Sequence, residues 1–536
     1  MTTTTSAPRR RTRTTRNALV ASVALVALAA GACSSSDLQE GGIPAPDSAV
    51  PTLTMAQVEG SKGQLDQIVA DVMQQTGIPG VAVGVVYDDT TVITEGYGVK
   101  EVGVDGAVDP ETVFQLASLS KPIGSTVMAG LVGDGTIAWD DTVVSHDPAF
   151  ALSDPYVTKN ATFADMYSHR SGLPGSAGND LEIMGYDQAT ILSRLKYLPL
   201  NPFRATYEYS NFGMTAGGEA AAGSAGMTFT EAAQKTLFGP AGMTSSSFGH
   251  DDFVARTDRA ALHAKVDGTY QPAFTREPDA QAPAGGASSN VVDLSRWMRL
   301  QLADGSLDGK EIIDSAALDE THRPHANSRA TGDPTTPIRE YGLGWDLSQS
   351  EVDPALVQWA HSGAFSVGAA TTVRLLPQLG LGVVVLTNAQ PVGGAEAIAE
   401  LYLDSLLNGR PTADRLSMWT ERFAPLLNPP ARPVPANPVP ARASSAYVGS
   451  YRNDYYGTVT ISEKDGKLVM AWGPEGATTL GLEHDDGDVF LYVDSPEVPG
   501  GKTPLAFQFT GGTTASSLVL GNDTPLGDWM VLKRVP

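Results

Sequence analysis

Cysteine is almost missing from this chain: one residue in 536, Cys33. A lone thiol closes no disulfide and, without neighbouring ligands, holds no metal. Basic residues are also scarce, 36 Lys and Arg against 60 Asp and Glu, for a net charge of −24. Such a surface suits neither nucleic acid nor charge-driven binding to anionic lipid. The apolar run from Ala18 to Ala30 is too short to serve as a permanent membrane span. No phosphate-binding glycine loop, G-x-S-x-G elbow or H-E-x-x-H helix occurs, which removes the simplest signatures of nucleotide, α/β-hydrolase and zinc-peptidase chemistry. The acidic stretches at His250 to Asp252 and around His484 read as solvated loops. No cofactor or metal is called for.

What is present begins with an export signal over residues 1–32. Arg9, Arg10, Arg11, Arg13 and Arg16 precede the apolar run, and Ala30-Gly31-Ala32 supplies a small-residue cleavage site. Cys33 follows directly, which resembles a bacterial lipoprotein signal, with Ala30 where leucine is usual. The resemblance implies lipidation of Cys33 and anchoring to the outer face of the cytoplasmic membrane, with plain secretion as the alternative. Residues 33–60 read as a flexible tether. Loss of residues 1–32, which carry five arginines and no acid, leaves a mature charge near −29.

The chemical signal lies in FQLASLSKPIGS, Phe114 to Ser125. Ser118 and Lys121 stand three residues apart where a helix begins, so their side chains share a face. Pro122 suits a first helical turn. The following Ile123, Val127, Met128, Leu131 and Val132 are apolar on several faces, which predicts a buried helix. A buried lysine at a helix N-terminus has a depressed pKa and can activate a neighbouring hydroxyl. The spacing is cheap by itself: Ser193 and Lys196 repeat it in an amphipathic helix, as a solvated face.

Order and flanks give it weight. Tyr209 and Asn211 follow in YEYSNFG, then His361, Ser362 and Gly363 in QWAHSGAFSVG. With Ser118 and Lys121 they resemble the S-x-x-K, Y-x-N and K/H-[ST]-G motifs of the serine β-lactamase and penicillin-binding-protein superfamily. Tyr451 and Asn453 also match Y-x-N, in another part of the chain. The flanks SHRSGLPG (168–175), FGPAGM (238–243), PAGGASSNVVDLSRW (283–297) and YGLGW (341–345) are similar to the class C branch, which includes D-alanyl-D-alanine carboxypeptidases and family VIII esterases. The resemblance implies an exported serine hydrolase forming an acyl-enzyme with a D-residue peptide, ester or β-lactam. A non-catalytic penicillin-binding-like sensor is the alternative. It further implies Ser118 as nucleophile, Lys121 and Tyr209 sharing the proton, and the backbone N–H groups of Ser118 and Ala364 as the oxyanion hole. Asn211, His361, Ser362 and Gly363 would line the substrate site, the last three on an edge strand. β-Lactamases of this branch usually carry lysine where His361 stands.

The fold expected is α+β. One antiparallel sheet, fed by both ends of residues 61–410 and flanked by terminal helices, surrounds a mainly helical second lobe. SKGQLDQIVADVMQQT reads as a helix stopped by Gly77, and the runs around Asp88-Asp89 as a hairpin. Strand-like runs near 358–375 and 381–386 and a helix in AEAIAELYLDSLLNG complete it. Seven prolines between Pro425 and Pro440 mark a stiff linker, 411–440. Residues 441–536 hold short β-like runs (TVTIS, KLVMAW, DVFLYV, PLAFQF, SSLVL, WMVLKRV) and resemble the lipocalin-like barrel attached to such hydrolases, without chemical motifs of their own.

Overall fold

The computed structural model describes residues 50–328, 339–428, 432–493, 495, 501–522 and 527–536. The expected export signal, Cys33 and the first part of the expected tether lie outside the described residues. Helix α1 (Met55–Gly60) occupies the end of the stretch expected to be tether. Thr54 and Gln57 form a reciprocal capping box that starts it, and its Val58 is buried. Helix α2 (Lys62–Thr76) follows and ends at Gly77, φ +77°, as the glycine stop requires.

Strands β1 (Gly80–Tyr87) and β2 (Thr90–Gly98) form the expected hairpin. Asp88 and Asp89 both take positive φ, 48° and 54°, the pair of angles a two-residue type I′ turn needs. The remaining strands of this sheet are β3 (Ala326–Asn327), β4 (Glu340–Tyr341), β5 (Asp346–Gln349), β6 (Val357–Phe365), β7 (Ala369–Leu376) and β8 (Leu381–Thr387). Their order is β2-β1-β8-β7-β6-β5-β4-β3, antiparallel throughout. The two ends of the domain meet at β1 and β8, where Val81 lies opposite Thr387. β1, β7 and β8 are almost wholly buried, because helices cover both faces.

The helical lobe fills the chain between β2 and β3. Two of its helices position the site, α3 (Ser120–Gly133) and α4 (Asn211–Ser224), while α5 (Val291–Leu302) packs on β1, β2 and β8. Helix α6 (Gly394–Asn408) packs with α2 against the outer face of the sheet. Helix α7 (Arg415–Leu427) lies within the stretch expected to be linker. Asp414 caps it, Leu416 packs on the α2/α6 core, and Trp419 sits under the Arg374 guanidinium, 5.6 Å from the ring centroid. Pro425 falls in its last turn, so the proline run ends the helix instead of replacing it.

Nine antiparallel strands form the C-terminal domain. The six sequence-predicted runs are there, with Gly449–Asn453, Thr478–Gly481 and Glu483–Asp486 added. The two edge strands, 478–481 and 483–486, are separated only by Leu482, so the sheet curls into a nearly closed barrel. Its interior is filled by aromatic packing: the Tyr447 ring lies 4.7 Å from Phe507 and 5.1 Å from Phe490. The domain built on the eight-stranded sheet and the barrel share one continuous apolar cluster.

Candidate active site

Ser118 lies in a single 3₁₀ turn, Ala117–Leu119, that leads straight into α3. Ala117 before it adopts φ +49°, a conformation that costs an L-residue roughly 1–2 kcal/mol. Lys121 is fully buried in the first turn of α3. Its Nζ lies 3.1 Å from Ser118 Oγ, 2.8 Å from Asn211 Oδ1 and 2.9 Å from the carbonyl oxygen of Ala284. Burial pushes the Lys121 amine well below its ordinary pKa.

Two of these partners are carbonyl oxygens, which only accept. A neutral amine has two N–H donors and one lone pair. Donating to Asn211 and Ala284 uses both hydrogens and leaves the lone pair facing the Ser118 hydroxyl. Ala284 comes from PAGGA, so that flank supplies the carbonyl that orients the amine.

Ser210 is the N-cap of α4, its Oγ accepting from the Gly213 N–H at 3.1 Å. Tyr209 and Asn211 flank this cap, which explains the Y-x-N spacing: one residue on each side of a helix start reaches the same lysine. Lys121 Nζ is 4.5 Å from the Tyr209 ring centroid, and Ser118 lies close enough to the Tyr209 phenol to act on its titration. Burial raises the phenol above its usual pKa, so it stays protonated at neutral pH.

β6 brings the third motif alongside. It is an edge strand only in its second half. β5 pairs with residues 357–360, which leaves His361 to Phe365 open towards the Ser118 turn. Gly363 is required there: a Cβ would lie 2.1 Å from the Leu116 carbonyl oxygen and 2.7 Å from the Leu119 nitrogen. Ala364, opposite Ala370, is partly accessible, as are Ser118, Tyr209, Asn211 and Ser362. Ser362 Oγ is turned to Thr372 Oγ1, 3.0 Å away.

His361 is turned away from solvent. Its Nδ1 is 2.8 Å from the Ser362 carbonyl oxygen and its Nε2 is 3.1 Å from the Tyr341 hydroxyl. The carbonyl must accept, so Nδ1 carries the proton and Nε2 accepts from Tyr341: the neutral tautomer satisfies both. Burial, with nearby Lys121 adding to it, pushes the imidazole down to about 3. The ordinary value of ~6.5 expected from sequence is therefore displaced.

The structure thus brings Ser118, Lys121, Tyr209, Asn211, His361 and Gly363 together and keeps the decoys apart. Ser193 is exposed. Tyr451 is barrel core, its hydroxyl donating to the Tyr447 carbonyl at 2.6 Å, and Asn453 donates to the Trp529 carbonyl at 2.7 Å. Three residues had no assigned part in the sequence reading: Ala284 of PAGGASSNVVDLSRW, Tyr341 of YGLGW and His169 of SHRSGLPG. Their only signal was a place inside a flank motif.

Residues 65–407 match the model of the beta-lactamase family, and residues 433–521 match a domain of unknown function, DUF3471. The chain belongs to the beta-lactamase family. Similar proteins include the unguisins hydrolase of Aspergillus violaceofuscus, 26% identical, the match covering 87% of this chain and 88% of that protein. Penicillin-binding protein 4 of Amycolatopsis lactamdurans is 26% identical over 58% of this chain and 81% of its own. Among solved structures, the octameric penicillin-binding protein homologue of Pyrococcus abyssi has a TM-score of 0.56 at 18% identity, covering 86% of this chain and 98% of that one. The class C beta-lactamase of Rhodobacter sphaeroides has a TM-score of 0.52 at 20% identity, covering 63% and 97%. Membership supports a serine-hydrolase type of function in the broad sense.

Proposed function

We propose that the protein is an exported serine hydrolase that works through an acyl-enzyme at Ser118. The observation that carries this reading is the three-partner geometry of Lys121, which in the neutral amine aims the lone pair at the Ser118 hydroxyl. Ser118 Oγ attacks the substrate carbonyl and its proton passes to Lys121 Nζ. The N–H groups of Ser118 and Ala364 hold the oxyanion. The leaving group takes a proton from the Tyr209 phenol, which regains one from Lys121. Water then repeats the attack, releasing the acid and restoring Ser118. The opposite pKa directions of Lys121 and Tyr209 favour a division of labour, lysine as base and tyrosine as acid, over equal sharing of one proton.

The substrate proposed is an ester or a D-residue peptide in preference to a β-lactam. His361 is neutral and both its nitrogens are engaged, so it offers no fixed positive charge to a β-lactam carboxylate. Export, with lipidation at Cys33, belongs to the same proposal and is supported by the sequence of residues 1–33. Intact mass of the exported chain tests it, with an unmodified Cys33 leaving simple secretion.

The test of the chemistry is fluorophosphonate labelling, followed by a panel of nitrocefin, short p-nitrophenyl esters and D-amino-acid peptides. Wild type and Ser193→Ala should label; Ser118→Ala should not. Label that persists on wild type with no turnover of any panel member would favour the penicillin-binding-like sensor.

A further inference from the structure

We infer that His169 is a positioning residue for Tyr209, holding the backbone on both sides of it. His169 follows Ser168, which closes the short helix Phe163–Tyr167. It takes a left-handed backbone, φ +58°, a region where His, Asn and Asp are enriched among non-glycine residues. From there the SHRSG segment runs beside residues 201–210. The Gly172 carbonyl accepts from the Asn201 N–H at 2.7 Å and the Arg170 carbonyl from the Arg204 N–H at 2.9 Å.

The pairing closes on Tyr209. The His169 carbonyl accepts from the Glu208 N–H at 2.8 Å, and His169 Nδ1 accepts from the Ser210 N–H at 3.2 Å. One residue therefore pins the amides immediately before and after Tyr209, and the left-handed turn is what lets its carbonyl and its ring face the same strand of chain. The ring also lies against the tyrosine, 4.6 Å between centroids. Tyr341 supports it from behind at 5.0 Å, and Tyr341 in turn holds His361.

The tautomer follows. With Nδ1 accepting, the proton sits on Nε2, which is buried and has no hydrogen-bond partner. A left-handed backbone and an unpaired buried N–H are two local costs at one side chain. Packing alone would be met by many residues. Only an acceptor attached at Cγ, on a residue that tolerates positive φ, meets the Ser210 amide. Asparagine qualifies: its Oδ1 occupies the place of Nδ1. Glycine tolerates the backbone and lacks the acceptor.

This inference rests on Tyr209 being the acid–base residue, and the test separates the two. The variants are His169→Gly, His169→Asn, Tyr209→Phe and His169→Gly/Tyr209→Phe, assayed on a p-nitrophenyl ester with thermal melting alongside. His169→Gly should lower kcat about 10²-fold with KM changed less than threefold, and His169→Asn should recover at least tenfold of that loss. Once Tyr209 is phenylalanine, the glycine change should cost less than threefold more, because it acts through the missing hydroxyl. If His169→Gly does not fold, His169→Gln, whose acceptor is one bond too far out, replaces it. Wild-type kcat in the glycine variant, equal losses for glycine and asparagine, or additive losses in the double variant would each overturn the inference. Full activity in Tyr209→Phe would instead overturn the acid–base assignment beneath it.

Discussion

The Asp180 carboxylate accepts a 2.6 Å hydrogen bond from the Tyr455 hydroxyl, tying the barrel to the segment that follows SHRSGLPG. The same hydroxyl accepts from the Gly178 N–H at 3.1 Å. Arg194 donates to the Tyr455 carbonyl at 2.9 Å, and the Tyr186 hydroxyl to the Tyr456 carbonyl at 2.9 Å. Gly473 lies so close that a Cβ would be 2.1 Å from the Met184 carbonyl oxygen. This docked segment begins beside the site: Gly175, immediately before it, packs against the Tyr209 carbonyl, 3.0 Å from an added Cβ.

The barrel is therefore a structural partner of the hydrolase domain more than an appended module. Removing residues 441–536 should leave a chain that melts earlier and aggregates, not a free-standing enzyme of altered range. Tyr455→Phe isolates the link. Burial already raises the Asp180 carboxyl, and loss of its hydroxyl partner should cost about 1–3 kcal/mol in urea unfolding. A truncated chain with wild-type melting and ester turnover would refute this.

Gly363→Ala should slow acylation on the order of 10²-fold while leaving a folded protein. The added methyl would meet the Leu116 carbonyl at 2.1 Å, a backbone atom that cannot rotate aside, and must push β6 from the turn holding Ser118. A shift of about 1 Å costs on the order of 10²-fold where reacting groups must be aligned. The measurement is the rate of fluorophosphonate labelling beside a thermal melt. Labelling at the wild-type rate would mean that the two segments separate freely.

Sequence reasoning could see the nucleophile turn because three short motifs, each cheap alone, occur in one order with telling flanks. It could see the hairpin because Asp88-Asp89 separates two apolar runs. It could not see helix α7, since the proline count around Pro425 outweighs the amphipathic signal of Leu416 and Trp419. It missed the strands Thr478–Gly481 and Glu483–Asp486 because they are polar and largely exposed, so no apolar alternation marks them. His169 was beyond reach: pinning Tyr209 depends on a left-handed φ and on tertiary pairing with a segment some forty residues away.

Buried histidines make stability depend on acid, His322 and His361 among them. Burial pushes His322, stacked 3.7 Å from Trp359, down to about 3, and His361 is likewise down to about 3. In the unfolded chain both titrate near ~6.5. Between those values the unfolded state binds protons that the folded state refuses, so stability rises with pH. Their contribution is fully present above ~6.5 and is lost as pH falls towards about 3, at roughly 1.4 kcal/mol per unit for each group. Urea unfolding between about pH 7.5 and 5 should show this fall. His322→Phe, which keeps the stack, should make the slope shallower by one group. An unchanged slope in that variant would show that His322 titrates normally.

His361→Lys tests how far one charge decides the substrate. In the wild type, titration of His361 cannot alter binding of a carboxylate-bearing substrate between about pH 5.5 and 8, because its folded value lies near 3. A lysine there would present an ammonium in that range, as the usual residue of β-lactamases in this branch does. It would also lose the Tyr341 hydrogen bond and sit near Lys121, whose field already acts on this position. The ammonium should therefore favour substrates that neutralise it. The expected outcome is that the ratio of kcat/KM for nitrocefin over that for a neutral p-nitrophenyl ester rises at least about tenfold at pH 7, worth roughly 1.4 kcal/mol of selective binding. The ester rate itself should fall, since a second positive charge destabilises any protonated state of Lys121 through which the reaction passes. An unchanged ratio, or efficient nitrocefin turnover by the wild type, would place β-lactam recognition elsewhere in the site and restore a β-lactamase reading of the chain.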